Sequence, residues 1–268
     1  MRCNGAKEQE PQMIKEEIRF TDSTVLEGMT SISALLNARA ASINDRPITE
    51  IWFDRARKAK KAREHAFLAA KCKELNIPLV LVDAADIKAH TVGNTHGGVI
   101  ALCGARTLPF LTAESAPRDG FLCFIEGIED PYNFGYALRS LYAAGCDGIL
   151  LGKRNWMSAA GVVARASAGA SEALPVWECE NEDAVTLLKT LGYRTVCAGI
   201  RDSVGLYDAN LKKPLLLIVG GEKRGISASL LAQADAVVRI DYGRDFRGSL
   251  SAAAATTVLA FEILRQNK

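Results

Sequence analysis

The sequence is poor in the residues that build metal sites. It has three histidines, and none of His65, His90 and His96 stands at ligand spacing from acids or cysteines, so no metal is expected. Its seven cysteines are odd in number and form no CxxC pair, which argues against a disulfide framework and suits a reducing compartment. No apolar run approaches the ~20 residues of a membrane helix, and the opening "MRCNGAKEQEPQMIKEE" lacks the apolar core of a signal peptide. A soluble cytoplasmic protein is expected. An excess of charge of one sign is also missing: the net charge is +2, too small to select a partner by bulk electrostatics. No GxGxxG dinucleotide-binding loop follows any strand-like segment.

What is present is apolar material for a core, 49% of 268 residues, in alternating helical and strand-like stretches. Residues 1–20 read as a polar tail. Residues 21–105 read as a small α/β domain: "STVLEGMTSISALLNARAA" as a helix capped by serine, "ITEIWF" and "IPLVLV" as strands, "KKAREHAFLAAKCKELN" and "DAADIKAH" as helices, and "GGVIALC" as the last strand. The segment 106–120, "RTLPFLTAESAPRDG", combines prolines with polar residues and reads as a linker. Residues 121–268 repeat the alternation. Strands are expected at 121–126, 148–151, 175–178, 194–199, 215–219 and 236–240, and helices at 133–145, 158–167, 182–191, 227–233 and 249–266. Continuous apolar runs such as "PLLLIVG" suit a parallel sheet covered on both faces.

Four stretches carry chemistry. In "FIEGIEDPYNFGYALRSLYAAG" a strand meets Asp130-Pro131, a turn that proline stiffens; Asn133 is placed to cap a helix, and Arg139 follows six residues later. In "LLLIVGGEKRGIS" Gly220 and Gly221 end a strand where backbone could meet a flat ligand, and Glu222 follows at once. In "VVRIDYGRDFRGSLSAAAATTVLAFEIL" a loop interleaves Tyr242, Arg244, Phe246 and Arg247, suited to stacking on bases and pairing with phosphates. Ser249 is expected to cap the Ala-rich helix after it. Finally, "DRARKAKKAREH" holds Arg55, Arg57, Lys58, Lys60 and Lys61, a run that suits either phosphate contact or a solvated helix face. Taken singly, each stretch has an ordinary structural reading: a turn, a cap, a solvated loop.

Their order is more specific than any one of them. D-P-x-N-x-G with its arginine, then "ASAGASEALPV", then "VGGEKRGIS", then "SLS" opening the last helix, resembles the SpoU/TrmH branch of the SPOUT superfamily over about 121–266. Those proteins are S-adenosylmethionine-dependent RNA ribose 2′-O-methyltransferases. Residues 22–105, ending in "THGGVIAL", resemble the small substrate-binding domain that many members carry in front. The resemblance implies an α/β domain whose parallel sheet ends in a trefoil knot, a homodimer formed through that knot, and RNA, either ribosomal or transfer, as substrate. By position it assigns the methyl-donor pocket to Gly220, Gly221, Ile240, Leu250 and Ser251. It assigns catalytic and supporting roles to Asn133, Arg139, Glu222 and Ser249, while RNA contact at Arg244, Arg247 and the 55–61 cluster is expected from their residue types, with a solvated loop and a solvated helix face as the alternatives.

The implied chemistry is an in-line methyl transfer to a ribose hydroxyl. Arg139 would position the ribose-phosphate, Asn133 would hold Arg139 or the substrate, and Glu222 would fix the loop. Two departures stand out. The family commonly has I-P-M where this chain has Ile240-Asp241-Tyr242, and S-L-N where it has Ser249-Leu250-Ser251. Asp241 brings a negative charge toward the donor, so a homologue that binds RNA without methylating it is the rival reading.

Overall fold

The computed structural model describes residues 24–91, 95–153 and 155–268. The polar tail expected at 1–20 lies outside them. Strand β1 (Val25–Glu27) leads into helix α1 (Gly28–Ala40), and β2 (Ile48–Asp54) is followed by a short 3-10 turn and helix α2 (Ala62–Leu75). Strand β3 (Leu79–Val82), helix α3 (Ala84–His90) and β4 (Val99–Cys103) complete a four-stranded sheet in the order β1-β4-β2-β3. Val25–Glu27 corrects the expectation of a helix from the serine onward. The residues pair antiparallel with β4, Leu26 opposite Ala101, and Gly28 at φ +84° turns the chain into the helix.

The rear sheet has seven strands, and every pairing in it is parallel. They are β5 (Phe121–Glu126), β6 (Gly148–Leu151), β7 (Val176–Glu178), β8 (Arg194–Ala198), β9 (Val204–Gly205), β10 (Leu215–Gly220) and β11 (Ala236–Arg239), ordered β7-β6-β5-β10-β8-β11-β9. The helices are α4 (Pro131–Ala143), α5 (Ala160–Ala166), α6 (Ala170–Ala173), α7 (Asn181–Thr190), α8 (Ala228–Ala232) and α9 (Ala252–Gln266). Strand residues alternate between two buried faces. Phe121, Cys123, Ile125, Leu215 and Leu217 pack with α4 and α9, whereas Leu122, Phe124, Leu216 and Ile218 pack with α7 and α8. That double burial is why β5 and β10 read as unbroken apolar runs. Six cysteines of the described residues are buried free thiols. Burial pushes the thiols of Cys103, Cys146, Cys179 and Cys197 up to about 12.

The front sheet docks on α5 and α6. Ala160 and Ala164 belong to the same apolar cluster as Leu35, Leu36 and Phe53. Gly169 allows close approach, since a Cβ there would lie 2.5 Å from Ala34 Cβ. Polar groups seal the junction. Glu172, fully buried, accepts from Arg46 Nε at 2.8 Å and from Asn44 Nδ2 at 2.7 Å. Arg106 donates to the carbonyls of Ser171 and Leu174, both at 2.8 Å. The segment 106–120 is tied to the sheet edge as well: Leu111 N donates to Glu178 O at 3.1 Å and Glu178 N to Pro109 O at 2.9 Å.

Candidate active site

In a parallel sheet all carboxyl ends face one way, and a crevice opens where successive connections diverge to opposite sides. Here the divergence falls between β5, whose connections lead toward β6 and β7, and β10, on the side of β8, β11 and β9. The segments with chemical promise, after β5, β10 and β11, all leave the sheet at this end.

After β5, Asp130 caps α4 by accepting from Asn133 N at 2.7 Å, with Pro131 as first helical residue. Asn133 is therefore inside the first turn and not the cap, which corrects the sequence reading. Its side chain is free to reach elsewhere: Nδ2 donates to Glu222 Oε1 at 3.2 Å. The same Glu222 oxygen accepts from Ala252 N at 3.0 Å. One carboxylate thus joins the start of α4, the turn after β10 and the start of α9. The cap of α9 is Ser251, whose Oγ accepts from Ala254 N at 3.2 Å. Ser249, expected in that place, lies exposed in the preceding loop.

Around Gly220 and Gly221 main chain meets main chain. Gly221 N donates to Glu126 O at 2.8 Å, and Gly225 N to Gly221 O at 2.9 Å. A Cβ on Gly220 would collide with the backbone of Gly225, and one on Gly221 with the backbone of Gly127. No side chain fits on either glycine, so this edge is built of peptide groups, with Ile240 packed on the core beside it and Leu250 partly exposed. Asp241 does not present a bare charge: its Oδ1 accepts from Arg239 Nε at 2.6 Å. The sequence reading missed Glu126. Its carboxylate, at the end of β5, accepts from Ser227 N at 2.9 Å and Asn181 Nδ2 at 3.3 Å, and so ties three connections at this edge. An acid closing an apolar strand was the available signal.

Arg139 is not drawn into this cluster. It is exposed and makes no hydrogen bond or ion pair with any described residue. Six residues along a helix carry it ~9 Å up the axis and about 120° around from Asn133. Asn133 therefore holds Glu222, not Arg139.

Arg244 and Arg247 lie exposed in the loop before α9. The front cluster divides. Arg57 pairs with Asp54 at 3.1 Å and Lys61 with Glu64 at 2.8 Å, while Arg55 donates to Leu81 O at 3.0 Å. Lys58 and Lys60 are exposed and have no partner among the described residues. A cleft of about 760 Å³ lined by Arg39, Arg106 and Trp177 lies at the amino end of β7 and shares no residue with the Asn133–Glu222 cluster. Among the described residues no group of three or more His, Cys, Asp and Glu side chains could hold a metal ion, and no helix is long and apolar enough to cross a membrane.

A parallel sheet, a carboxylate joining the turns after β5 and β10 to the start of α9, and a peptide-built edge form one candidate site at the sheet's carboxyl end. Comparison with known proteins agrees. Residues 120–261 match the SpoU rRNA methylase family and residues 25–109 match the RNA 2′-O ribose methyltransferase substrate-binding family. The chain belongs to the SpoU rRNA methylase family and is an RNA 2′-O-methyltransferase. It is 30% identical to the 23S rRNA (guanosine-2′-O-)-methyltransferase RlmB of Burkholderia sp., over 90% of this chain and 96% of that one. The protein of the same name from Shewanella oneidensis is 27% identical, over 96% of this chain and 100% of the relative. In fold it is similar to an AdoMet-bound rRNA methyltransferase from Sinorhizobium meliloti, with TM-score 0.74 at 22% identity over 98% of this chain and 97% of that one.

Proposed function

We propose that this protein methylates the ribose 2′-hydroxyl of a guanosine in 23S ribosomal RNA, in the cytoplasm and as a homodimer, with S-adenosylmethionine as donor. The carrying observation is the convergence of Asn133, Glu222 and the start of α9 at the sheet's carboxyl edge. The relatives named as 23S rRNA methyltransferases support the substrate, since this chain matches them over nearly their whole length. In this reading residues 21–105 receive the RNA, 106–120 connect, and 121–268 carry out the transfer.

The edge suits the donor. An adenosine and an amino-acid moiety want peptide N–H and C=O groups and apolar cover, and Gly220, Gly221, Ile240, Leu250 and Ser251 offer both. The bound donor supplies a methyl group already activated on a sulfonium. What is left to the protein is orientation and management of one poorly acidic proton. Glu222 holds the pocket's two walls in register through Asn133 and Ala252. Arg139 binds the ribose-phosphate through its guanidinium and offsets charge developing on the 2′-oxygen.

Arg139 reaches that oxygen from a second copy. It shares the outward face of α4 with Tyr136, which is 47% exposed, and the neighbouring α9 presents Phe261, 46% exposed. The two helices are joined by the hydroxyls of Ser140 and Thr257 at 2.6 Å. A copy docked on this face would cover the rings and carry Arg139 into the partner's site. A trefoil knot in 121–268 is part of the same reading, supported by the match of residues 120–261 to the SpoU rRNA methylase family.

The Asp241–Arg239 pair weighs against the rival of a methylation-incompetent RNA-binding homologue, because the Asp241 carboxylate is already engaged by the guanidinium at the end of β11. Arg139→Ala is expected to abolish methyl transfer while calorimetric binding of the donor stays close to wild type. Equal loss of both would remove Arg139 from the substrate side of the reaction.

A further inference from the structure

The loop between β11 and α9 contains a small built structure that donor binding does not explain. Tyr242 OH accepts from Leu250 N at 3.1 Å, which fixes the phenol at its tip. Phe246 lies close over Gly248, where a Cβ would fall 2.5 Å from Phe246 Cζ, so the absence of a side chain there lets the ring settle against the backbone. The ring centroids are 5.7 Å apart with planes tilted by 57°. Tyr242 is nevertheless 42% exposed and Phe246 56% exposed. Arg244 and Arg247 flank Phe246, exposed and unpaired among the described residues. The loop's acids do not cancel both cations: Asp241 is taken by Arg239, which leaves Asp245 alone.

We propose that Tyr242 and Phe246 form a stacking platform for one unpaired RNA base, so that the substrate nucleotide is single-stranded or in a loop and not within a duplex. This rests on the methyltransferase reading and narrows its substrate. A ring can lie on a base only when that base is out of its stack, because inside a duplex both faces are covered. Every base offers such a face, and adjacent arginines would hold the phosphates on either side. The Tyr242–Leu250 hydrogen bond sets the platform against the wall of the donor pocket. A base seated on Phe246 therefore places its own ribose, or that of the next nucleotide, beside the transferable methyl.

The test uses the full-length protein and one RNA strand carrying 2-aminopurine, either in the loop of a stem-loop or paired in a duplex. Fluorescence quenching on binding is expected for the loop RNA. Phe246→Leu should weaken loop binding about tenfold and Phe246→Trp should restore it, with duplex binding the same in all three proteins. Equal affinity of wild type for loop and duplex overturns the proposal, as does a Phe246→Leu loss that is the same for both RNAs. Unchanged RNA binding with a shift from dimer to monomer in sedimentation would also overturn it, and would assign the rings to a second copy of this chain. Methyl transfer from labelled donor is measured in parallel. Transfer by wild type with Phe246→Leu unaffected refutes the platform alone; intact loop-specific quenching without any transfer refutes the methyltransferase reading alone.

Discussion

Replacing Glu172 by alanine should loosen the joint between the two sheets. Glu172 and Arg46 have side chains 1% exposed each, and the pair spans the front and rear parts of the molecule. The carboxylate takes Arg46 Nε at 2.8 Å, Arg46 Nη2 at 3.2 Å and Asn44 Nδ2 at 2.7 Å. After truncation the Arg46 guanidinium keeps a bond to Gly104 O at 2.9 Å, and its charge is buried without a counter-ion. Breaking a buried pair from one side costs about 3–5 kcal/mol. At ~1.4 kcal/mol per decade this is roughly a hundredfold to a few thousandfold in the unfolding equilibrium. Urea unfolding followed by tryptophan emission reads it in both halves, because Trp52 lies in β2 and Trp156 and Trp177 lie in the rear part. The double variant Arg46→Met, Glu172→Leu should recover most of the loss, since well-packed apolar replacements spare both desolvation costs. A loss below about 1 kcal/mol for Glu172→Ala would refute the reasoning and place the pair in water-like surroundings.

Charge reversal of Lys58 and Lys60 should weaken RNA binding and flatten its salt dependence by roughly one unit of slope for each phosphate left without its lysine, whereas reversal of Lys61, already paired with Glu64, should matter less; an unchanged slope would assign the cluster to a solvated face. Native protein near neutral pH should leave Cys72, Cys103, Cys123, Cys146, Cys179 and Cys197 unalkylated by iodoacetamide, because burial raises each thiol's pKa and keeps it protonated; peptide mapping before and after unfolding checks this. Gly221→Ala should destabilise the rear sheet and abolish donor binding together, since its Cβ has only the backbone of Gly127 to occupy; urea unfolding and donor calorimetry on the same preparation check both effects.

The rear fold was legible because double burial writes itself into sequence: β5, β6 and β10 are apolar runs of the length observed, and the spacing between them fits crossover helices. Helix starts were less legible. Asp130 and Asn133 are both good caps three residues apart, as are Ser249 and Ser251 two apart, and sequence alone does not say which hydroxyl or carboxylate finds the backbone N–H. In both places the residue passed over took the cap, which left Asn133 free to bind Glu222. Strand β9, two residues long, has no periodicity to detect. The Arg46–Glu172 pair, 126 residues apart in sequence, leaves no local trace. "ASAGASEALPV" stood out as a motif, yet its small residues serve the docking of α1 on α6, as Gly169 against Ala34 shows.

The central claim, transfer of a methyl group to a ribose, is tested most directly with methyl-labelled S-adenosylmethionine, the purified protein and total RNA from cells lacking the gene, with the RNA species separated by size afterwards and each digested to nucleosides. The account predicts label in 2′-O-methylguanosine released from 23S rRNA. Label on a base, or none with the donor bound, would contradict it.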